Sequence, residues 1–222
     1  MSCVTNSADF FALVANMSHE LRTPLTIIRG YADVLENYGE DRELVAEGAA
    51  AIKKSAQNMQ DLIESVLFLA RADKNNFLLK KIPVEINELL KSVVEKYNNP
   101  RLEFVQGETL KLEGDKFFLE KMFKEIIDNA LNFSEEKVIV KVENSAVQII
   151  DSGIGIAAEN IDKIFDRFFK IDKSRTSKVS EKNSAGLGLS IAKWIADRHE
   201  IKIEVDSELG KGTTFTMSIE ID

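Results

Sequence analysis

A chain of 222 residues is long enough for one large domain or two small ones, and 44% hydrophobic with 30% charged residues fits a globular protein that buries a real core. The formal net charge of -8 repels nucleic-acid phosphates, so DNA or RNA is disfavoured as the main partner and an anionic ligand must be held locally. One cysteine, Cys3, allows no intrachain disulfide and points to a reducing compartment, and two histidines are too few for a His-rich zinc site.

The start, "MSCVTNSADFF", lacks a basic region followed by an apolar stretch, so no signal peptide is expected. No apolar run approaches the roughly 20 residues of a membrane span. The expectation is a cytoplasmic chain with no membrane segment of its own, whether free-standing or the cytoplasmic portion of an anchored protein.

The first 72 residues hold one proline, no tryptophan and long helical periodicity. Val14, Leu21, Ile28 and Leu35 recur every seven residues, with Met17, Pro24 and Tyr31 three positions on. Phe11, Leu25 and Ala32 widen this stripe. A second set follows: Val45, Ile52, Met59 and Val66, with Leu62 and Leu69. These predict two helices with heptad-like seams, joined by a polar turn near "NYGEDRE". Two helices cannot enclose a core alone. The economical solution is a homodimer whose four helices form a bundle. The other is that the pair packs on the second half.

Within that frame "NMSHELRTPL", Asn16 to Leu25, is informative. With Val14 at position a, His19 falls at f, farthest from the seam, and Arg22 and Thr23 also point outward. Pro24 removes one backbone hydrogen bond and is expected to bend the rod just after the histidine. A zinc motif HExxH is excluded, because Thr23 stands where the second histidine belongs. An exposed helical histidine is by itself most often only a solvated polar residue.

The polar "ADKNN", Ala72–Asn76, marks a change of pattern; a domain over 1–72, a hinge at 73–76 and a second domain over 77–222 are expected. The second half reads as strand 77–83, helix 86–97, strands near 101–105 and 109–112, and helix 115–133. Strands 137–143 and 145–150, a glycine loop and a short helix 158–164 follow. After a long polar segment come helix 188–199 and strands 201–206 and 213–221. Strand pairs with tight links predict a mixed, largely antiparallel sheet with helices on one face, an α/β sandwich.

Four stretches carry chemistry. "KEIIDNALNFS" is an amphipathic helix that buries Ile126, Ile127, Ala130 and Leu131 and presents Glu125, Asn129 and Asn132 on another face. Asn129 can offer an oxygen to Mg²⁺, which prefers hard ligands; a plain surface helix would read the same way. "IIDSGIGI" ends an apolar strand on Asp151 before two glycines, a place for close backbone approach to a ligand and for a carboxylate to accept from an exocyclic amine. An ordinary loop is the bland alternative. "SAGLGLSIAKWIADRH" runs a glycine loop into a helix, aiming backbone N–H groups at an anion, without the G-K-[ST] of a Walker loop or the G-x-G-x-x-G of a dinucleotide fold. His199 ends this helix and reads as a partner for its C-terminal dipole, with no catalytic role. Between the loops, Phe165, Phe168 and Phe169 precede Lys170, Lys173, Arg175, Lys178 and Lys182, an aromatic anchor and a cationic lid or else a surface insertion.

Together these motifs, in this order, resemble the cytoplasmic kinase core of bacterial sensor histidine kinases. "SHELRTPL" looks like the H box of the dimerisation and histidine-phosphotransfer domain. "EIIDNALNFS" looks like the N box, "DSGIGI" the G1 box, "IFDRFF" the F box, "SAGLGL" the G2 box and "GKGTTF" the last glycine motif. The likeness runs from about residue 8 to the end. It implies a helical hairpin forming a dimeric four-helix bundle, then a Bergerat-type α/β sandwich that binds ATP and Mg²⁺. It implies that His19 is the phosphoacceptor, that Glu20 orients or takes the proton on its other ring nitrogen, and that Arg22 orders the docking surface. Thr23 would position a water when a response regulator is dephosphorylated. Asn129 and Glu125 would hold the metal and Asp151 the adenine amino group. Gly153, Gly155, Gly186, Leu187 and Gly188 would shape the nucleotide loops, and Lys170 would face the terminal phosphate. The partners implied are a second copy and a response regulator receiver domain.

The chain departs from the family at three places. Glu125 replaces a common asparagine and resembles the gyrase-type ATPase branches, whose glutamate activates water. Asn132 replaces a common basic residue, and Ser184–Ala185 replace the usual opening of the G2 box. A related ATPase, or a dimeric docking scaffold without turnover, are the alternative readings.

Overall fold

Two long helices open the computed structural model, which describes residues 7–38, 40–73, 77–171 and 185–219. The chain divides into two compact units, Met1–Ala70 and Arg71–Asp222. The first holds α1 (Ser7–Tyr38) and most of α2 (Arg42–Asp73). The break between them is set by Asp41, whose carboxylate accepts from the Glu43 and Leu44 N–H groups at 2.9 and 3.2 Å and so caps α2. The helices meet closely where Gly48 lies under Leu35 and Tyr31; a Cβ there would sit 3.1 Å from Leu35 Cδ2. The Tyr31 hydroxyl crosses to donate to Glu47 Oε1 at 3.1 Å. Pro24, Leu62, Val66 and Leu69 are buried. Yet Leu25, Ile63 and Leu67 remain 48%, 44% and 51% exposed, so the hairpin leaves much apolar surface in water.

The second unit runs β1 (Ile82–Glu85), α3 (Ile86–Tyr97), β2 (Leu102–Val105), β3 (Lys111–Gly114), α4 (Lys116–Phe133), β4 (Val138–Glu143) and β5 (Ala146–Asp151). A 3₁₀ helix (Ala158–Phe165), α5 (Gly188–Arg198), β6 (Ile201–Glu208) and β7 (Gly212–Ile219) complete it. Five strands form a mixed sheet in the order β2-β4-β5-β7-β6, parallel only between β2 and β4. β1 and β3 stand apart as an antiparallel pair.

The strand expected over 77–83 is therefore corrected: only 82–85 is a strand. Phe77 instead packs edge-on against Phe118 and Trp194, at 5.3 and 5.4 Å between ring centroids. The Lys80 N–H goes to Asp115 Oδ2 at 2.9 Å, which ties this stretch to the start of α4. Asn87 stands in for a strand: its side chain donates to Glu108 O and accepts from the Leu110 N–H, both at 3.0 Å.

The core lies between the sheet and α3, α4 and α5. Val138, Val140 and Val142 alternate inward along β4, as period-2 patterning requires. They face the α4 side chains Met122, Phe123, Ile126 and Ile127, each at most 1% exposed. Burying one such side chain stabilises the fold by about 1.5–3 kcal/mol.

His199 differs from its expected role. It does cap α5, but it is buried rather than a charged dipole partner. Nδ1 lies 2.8 Å from Ile195 O and must carry the proton, while Nε2 accepts from the Asp115 N–H at 3.0 Å. Burial pushes its pKa below the ordinary value, with Lys81 adding to the shift and the Ile195 hydrogen bond and Asp115 opposing it. A neutral ring thus joins the end of α5 to the start of α4. The unfolded histidine binds its proton near pH 6.5 and the folded one only lower. Stability present above that pH is therefore lost as the pH falls through 6.5 toward the depressed value. We expect urea melts from pH 7.5 to 5 to show this loss in the wild type and a flatter profile in His199→Gln. His199→Ala should cost about 2–4 kcal/mol at pH 7.5.

Candidate functional site

The apolar run of β5 ends on Asp151, which is 5% exposed. Its Oδ1 accepts from the Gly153 N–H at 2.8 Å. Burial raises this carboxyl's pKa, and the N–H groups of Gly153 and Thr213 pull it back. The loop that follows is fixed to the end of α4, because the Ile154 N–H donates to Phe133 O at 3.2 Å. Gly155 has φ of +66°, and a Cβ there would fall 2.1 Å from Glu208 O, so glycine is required by both conformation and space.

On α4, Glu125 and Asn129 are one turn apart and both half-buried. Lys121 pairs with Glu125 Oε1 at 3.0 Å. Glu125 Oε2 lies 2.6 Å from where a Gly188 Cβ would be, which places this carboxylate at the start of α5. Leu187 at that start makes no side-chain capping bond. The start of α5 thus lies beside Glu125, and a helix N-terminus next to a carboxylate is a setting suited to an anion and a hard cation together. The donor set, one carboxylate and one amide oxygen with room for water, fits Mg²⁺. Among the described residues no group of three or more His, Cys, Asp or Glu forms a further metal cluster.

Gly186, with φ of +72°, accepts through its carbonyl from the Phe168 N–H at 2.8 Å. The aromatic segment is thereby joined to the start of α5. Lys170 is exposed. Lys173, Arg175, Lys178, Lys182 and Ser184 lie outside the described residues. Two groups of the expected site residues are brought together: Glu125 with Gly188 at the start of α5, and Asp151, Gly153 and Gly155 where β5 meets the end of α4 and the turn between β6 and β7. The sequence reading missed Ser207 and Thr213, which support the loop after β5 from β6 and β7. The signal for Thr213 was "GKGTTF", whose glycine Gly212 has φ of +108° and lies against Asp151 O.

On α1, His19, Arg22 and Thr23 are exposed and Glu20 is half-buried. The hydroxyls of Ser18 and Thr26 donate back to the carbonyls of Val14 and Arg22 at 2.8 and 2.9 Å. Back-bonded hydroxyls and an internal proline both favour bending, and the histidine lies between Ser18 and Pro24, in turns that carry both features. Among the described residues, no helix is long and apolar enough to cross a membrane.

Residues 12–75 match the family model described as the His Kinase A (phospho-acceptor) domain. Residues 114–222 match that of the histidine kinase-, DNA gyrase B- and HSP90-like ATPases. The chain is 31% identical over 220 residues to the sensor protein kinase WalK of Staphylococcus epidermidis, covering 93% of this chain and 36% of WalK. It is 34% identical over 215 residues to the sensor histidine kinase YkoH of Bacillus subtilis, covering 92% and 46%. It thus spans less than half of either relative. Among solved structures, histidine kinase ThkA in complex with response regulator protein TrrA has a TM-score of 0.68 at 23% identity, covering 93% of this chain and 60% of that one, a likeness of fold.

Proposed function

The chain belongs to the sensor histidine kinases, and on that premise we propose that it moves the γ-phosphoryl group of ATP to His19 and from there to an aspartate of a response regulator. The observation that carries this reading is His19 itself, an exposed imidazole on the outward face of a helix that matches the phospho-acceptor domain. A histidine that must meet a nucleotide and then a second protein has to be reachable from outside.

The His19 Nε2 lone pair attacks the γ-phosphorus, the bond to the β–γ bridging oxygen breaks, and ADP leaves. Glu20 orients the ring or takes the proton from Nδ1, which keeps electron density at Nε2. Asp151 accepts from the adenine amino group, and the uncapped start of α5 faces the phosphates. Asn129 and Glu125 hold the Mg²⁺, which neutralises phosphate charge when bound. Lys170 adds a cation to the terminal phosphate. In the second transfer a receiver aspartate oxygen attacks phosphorus and the N–P bond breaks. In a separate phosphatase step Thr23 positions a water that attacks the aspartyl phosphate, breaking its O–P bond and releasing inorganic phosphate and the free carboxylate.

The apolar side chains that α1 and α2 leave exposed beside their buried seam, Leu25, Ile63 and Leu67, support a homodimer with a four-helix bundle. A cytoplasmic location follows from needing ATP and a receiver partner; ThkA, of the same fold, was solved with such a partner. Domain limits of 1–72 and 77–222 around a hinge at 73–76 give the histidine and nucleotide sites separate bodies. The test is incubation with Mg²⁺ and γ-labelled ATP. An acid-labile, alkali-stable label on the protein supports the reading, and a label on serine or threonine overturns it.

A second reading, ATP hydrolysis, is favoured by the Glu125 carboxylate at the start of α5. It predicts phosphate release that survives His19→Gln and falls about a hundredfold in Glu125→Gln, measured with a phosphate assay. The kinase reading predicts that Glu125→Gln, whose amide keeps an oxygen for the metal, retains the protein label at saturating Mg²⁺.

A further inference from the structure

The turn between β6 and β7 lies directly against the loop that follows Asp151, although some 50 residues separate them in sequence. Three contacts fix it there. The Gly210 N–H donates to Ile154 O at 2.7 Å. A Cβ on Gly155 would collide with Glu208 O at 2.1 Å, and one on Gly212 with Asp151 O at 2.0 Å. The two backbones touch because each side has a glycine at the point of contact.

One side chain organises this junction. Ser207 Oγ accepts from the Ile156 N–H at 2.8 Å and lies 2.8 Å from Gly212 O and 2.9 Å from Thr213 Oγ1. A hydroxyl has one proton and two lone pairs. A carbonyl can only accept, so the Ser207 proton goes to Gly212 O. The Thr213 hydroxyl must then donate to Ser207. Every valence of Ser207 is used, and its three partners lie on both sides of the junction. Thr213 stands opposite Asp151 in the β5–β7 register, and its N–H helps hold the Asp151 carboxylate.

We infer that Ser207 is a positioning residue for ATP, acting through the loop from Gly153 to Ile156 rather than by touching the nucleotide. The inference rests on the reading that this loop receives ATP. Removing the hydroxyl frees the Ile156 N–H and the Thr213 hydroxyl and uncouples the loop from its support. The cost falls on nucleotide capture, because the loop must be set in place on each binding event. The phosphoryl transfer itself uses groups on other elements and is spared.

The experiment compares wild type with Ser207→Ala, Ser207→Cys and Ser207→Thr, using Mg²⁺ and labelled ATP. The KM for ATP should rise about tenfold in Ser207→Ala, the size expected for losing the one bond of the three that reaches the loop, that from the Ile156 N–H. The saturating rate should stay within about twofold. Ser207→Thr keeps the hydroxyl on a strand that suits β-branching, and should restore KM. Ser207→Cys, nearly isosteric with a weak donor, should fall between and carries the test should the alanine protein not fold. Melting with and without nucleotide separates the roles: the ATP-induced rise in Tm should shrink in Ser207→Ala. An unchanged KM in a folded Ser207→Ala or Ser207→Cys protein, or no rescue by threonine, overturns the inference. A wild type that fails to bind ATP at all instead refutes the nucleotide reading on which it rests.

Discussion

His19→Gln should abolish the acid-labile label completely while leaving ATP binding and melting temperature unchanged. Glutamine is a good helix former and is polar, so an exposed turn accepts it without cost to the fold. What it lacks is a nucleophilic ring nitrogen with a lone pair able to form an N–P bond. Loss of the attacking atom cannot be offset by positioning, so the fall should reach the detection limit, on the order of a thousandfold or more. The chemistry of the bond provides an internal control: a phosphoramidate is cleaved by acid and survives alkali, whereas phosphoserine does the reverse. Calorimetry with ATP on the same sample checks that the nucleotide site is intact. Label persisting in this variant would show that another residue receives the phosphoryl group.

Asp151→Asn should lower ATP affinity about a hundredfold and leave the nucleotide-free protein folded. An ionised carboxylate presents acceptors only, and one of its oxygens is already held by the Gly153 N–H. An asparagine that keeps that bond through its oxygen turns an NH₂ group toward the adenine amine, donor against donor. The fold has less to lose. Burial raises the Asp151 pKa, which means that the folded chain bears a desolvation cost for the charge, and the neutral amide removes it. The sign is testable separately. Raising the pH from the ordinary aspartate range through the raised value ionises the wild-type group at a cost in stability, and this increment should be missing in the variant. Thermal shift measurements with and without Mg²⁺ and ATP are sufficient. A wild-type-sized response to ATP in Asp151→Asn would remove the carboxylate from the adenine role.

Much of this was legible before any coordinates. The heptad rows placed His19 outward because a 3.6-residue period leaves little freedom once two apolar rows are fixed. Helices α3, α4 and α5 were found to within a residue, since their apolar faces are continuous and their ends are marked by Asn98, Asp115 and His199. The start of the second unit was misread because Phe77 to Pro83, a short run rich in apolar residues, reads as a strand in isolation, whereas its aromatic ring and amide partners come from α4 and α5. That β1 pairs with β3 in its own small sheet depends on contacts some 30 residues apart, which local pattern does not encode. The same is true of Ser207, an unremarkable strand residue until Ile156 and Thr213 arrive beside it. His199 looked like a charged helix end because burial, which keeps it neutral, is a property of the assembled unit.

The hydrogen bond from the Phe168 amide to the Gly186 carbonyl closes the base of the intervening stretch of sequence. Phe168 holds its side of this link at φ of +61° and Gly186 holds the other at +72°, so the joint has a defined geometry on both sides. A shift of the aromatic segment is thereby carried to the first turn of α5, and the reverse.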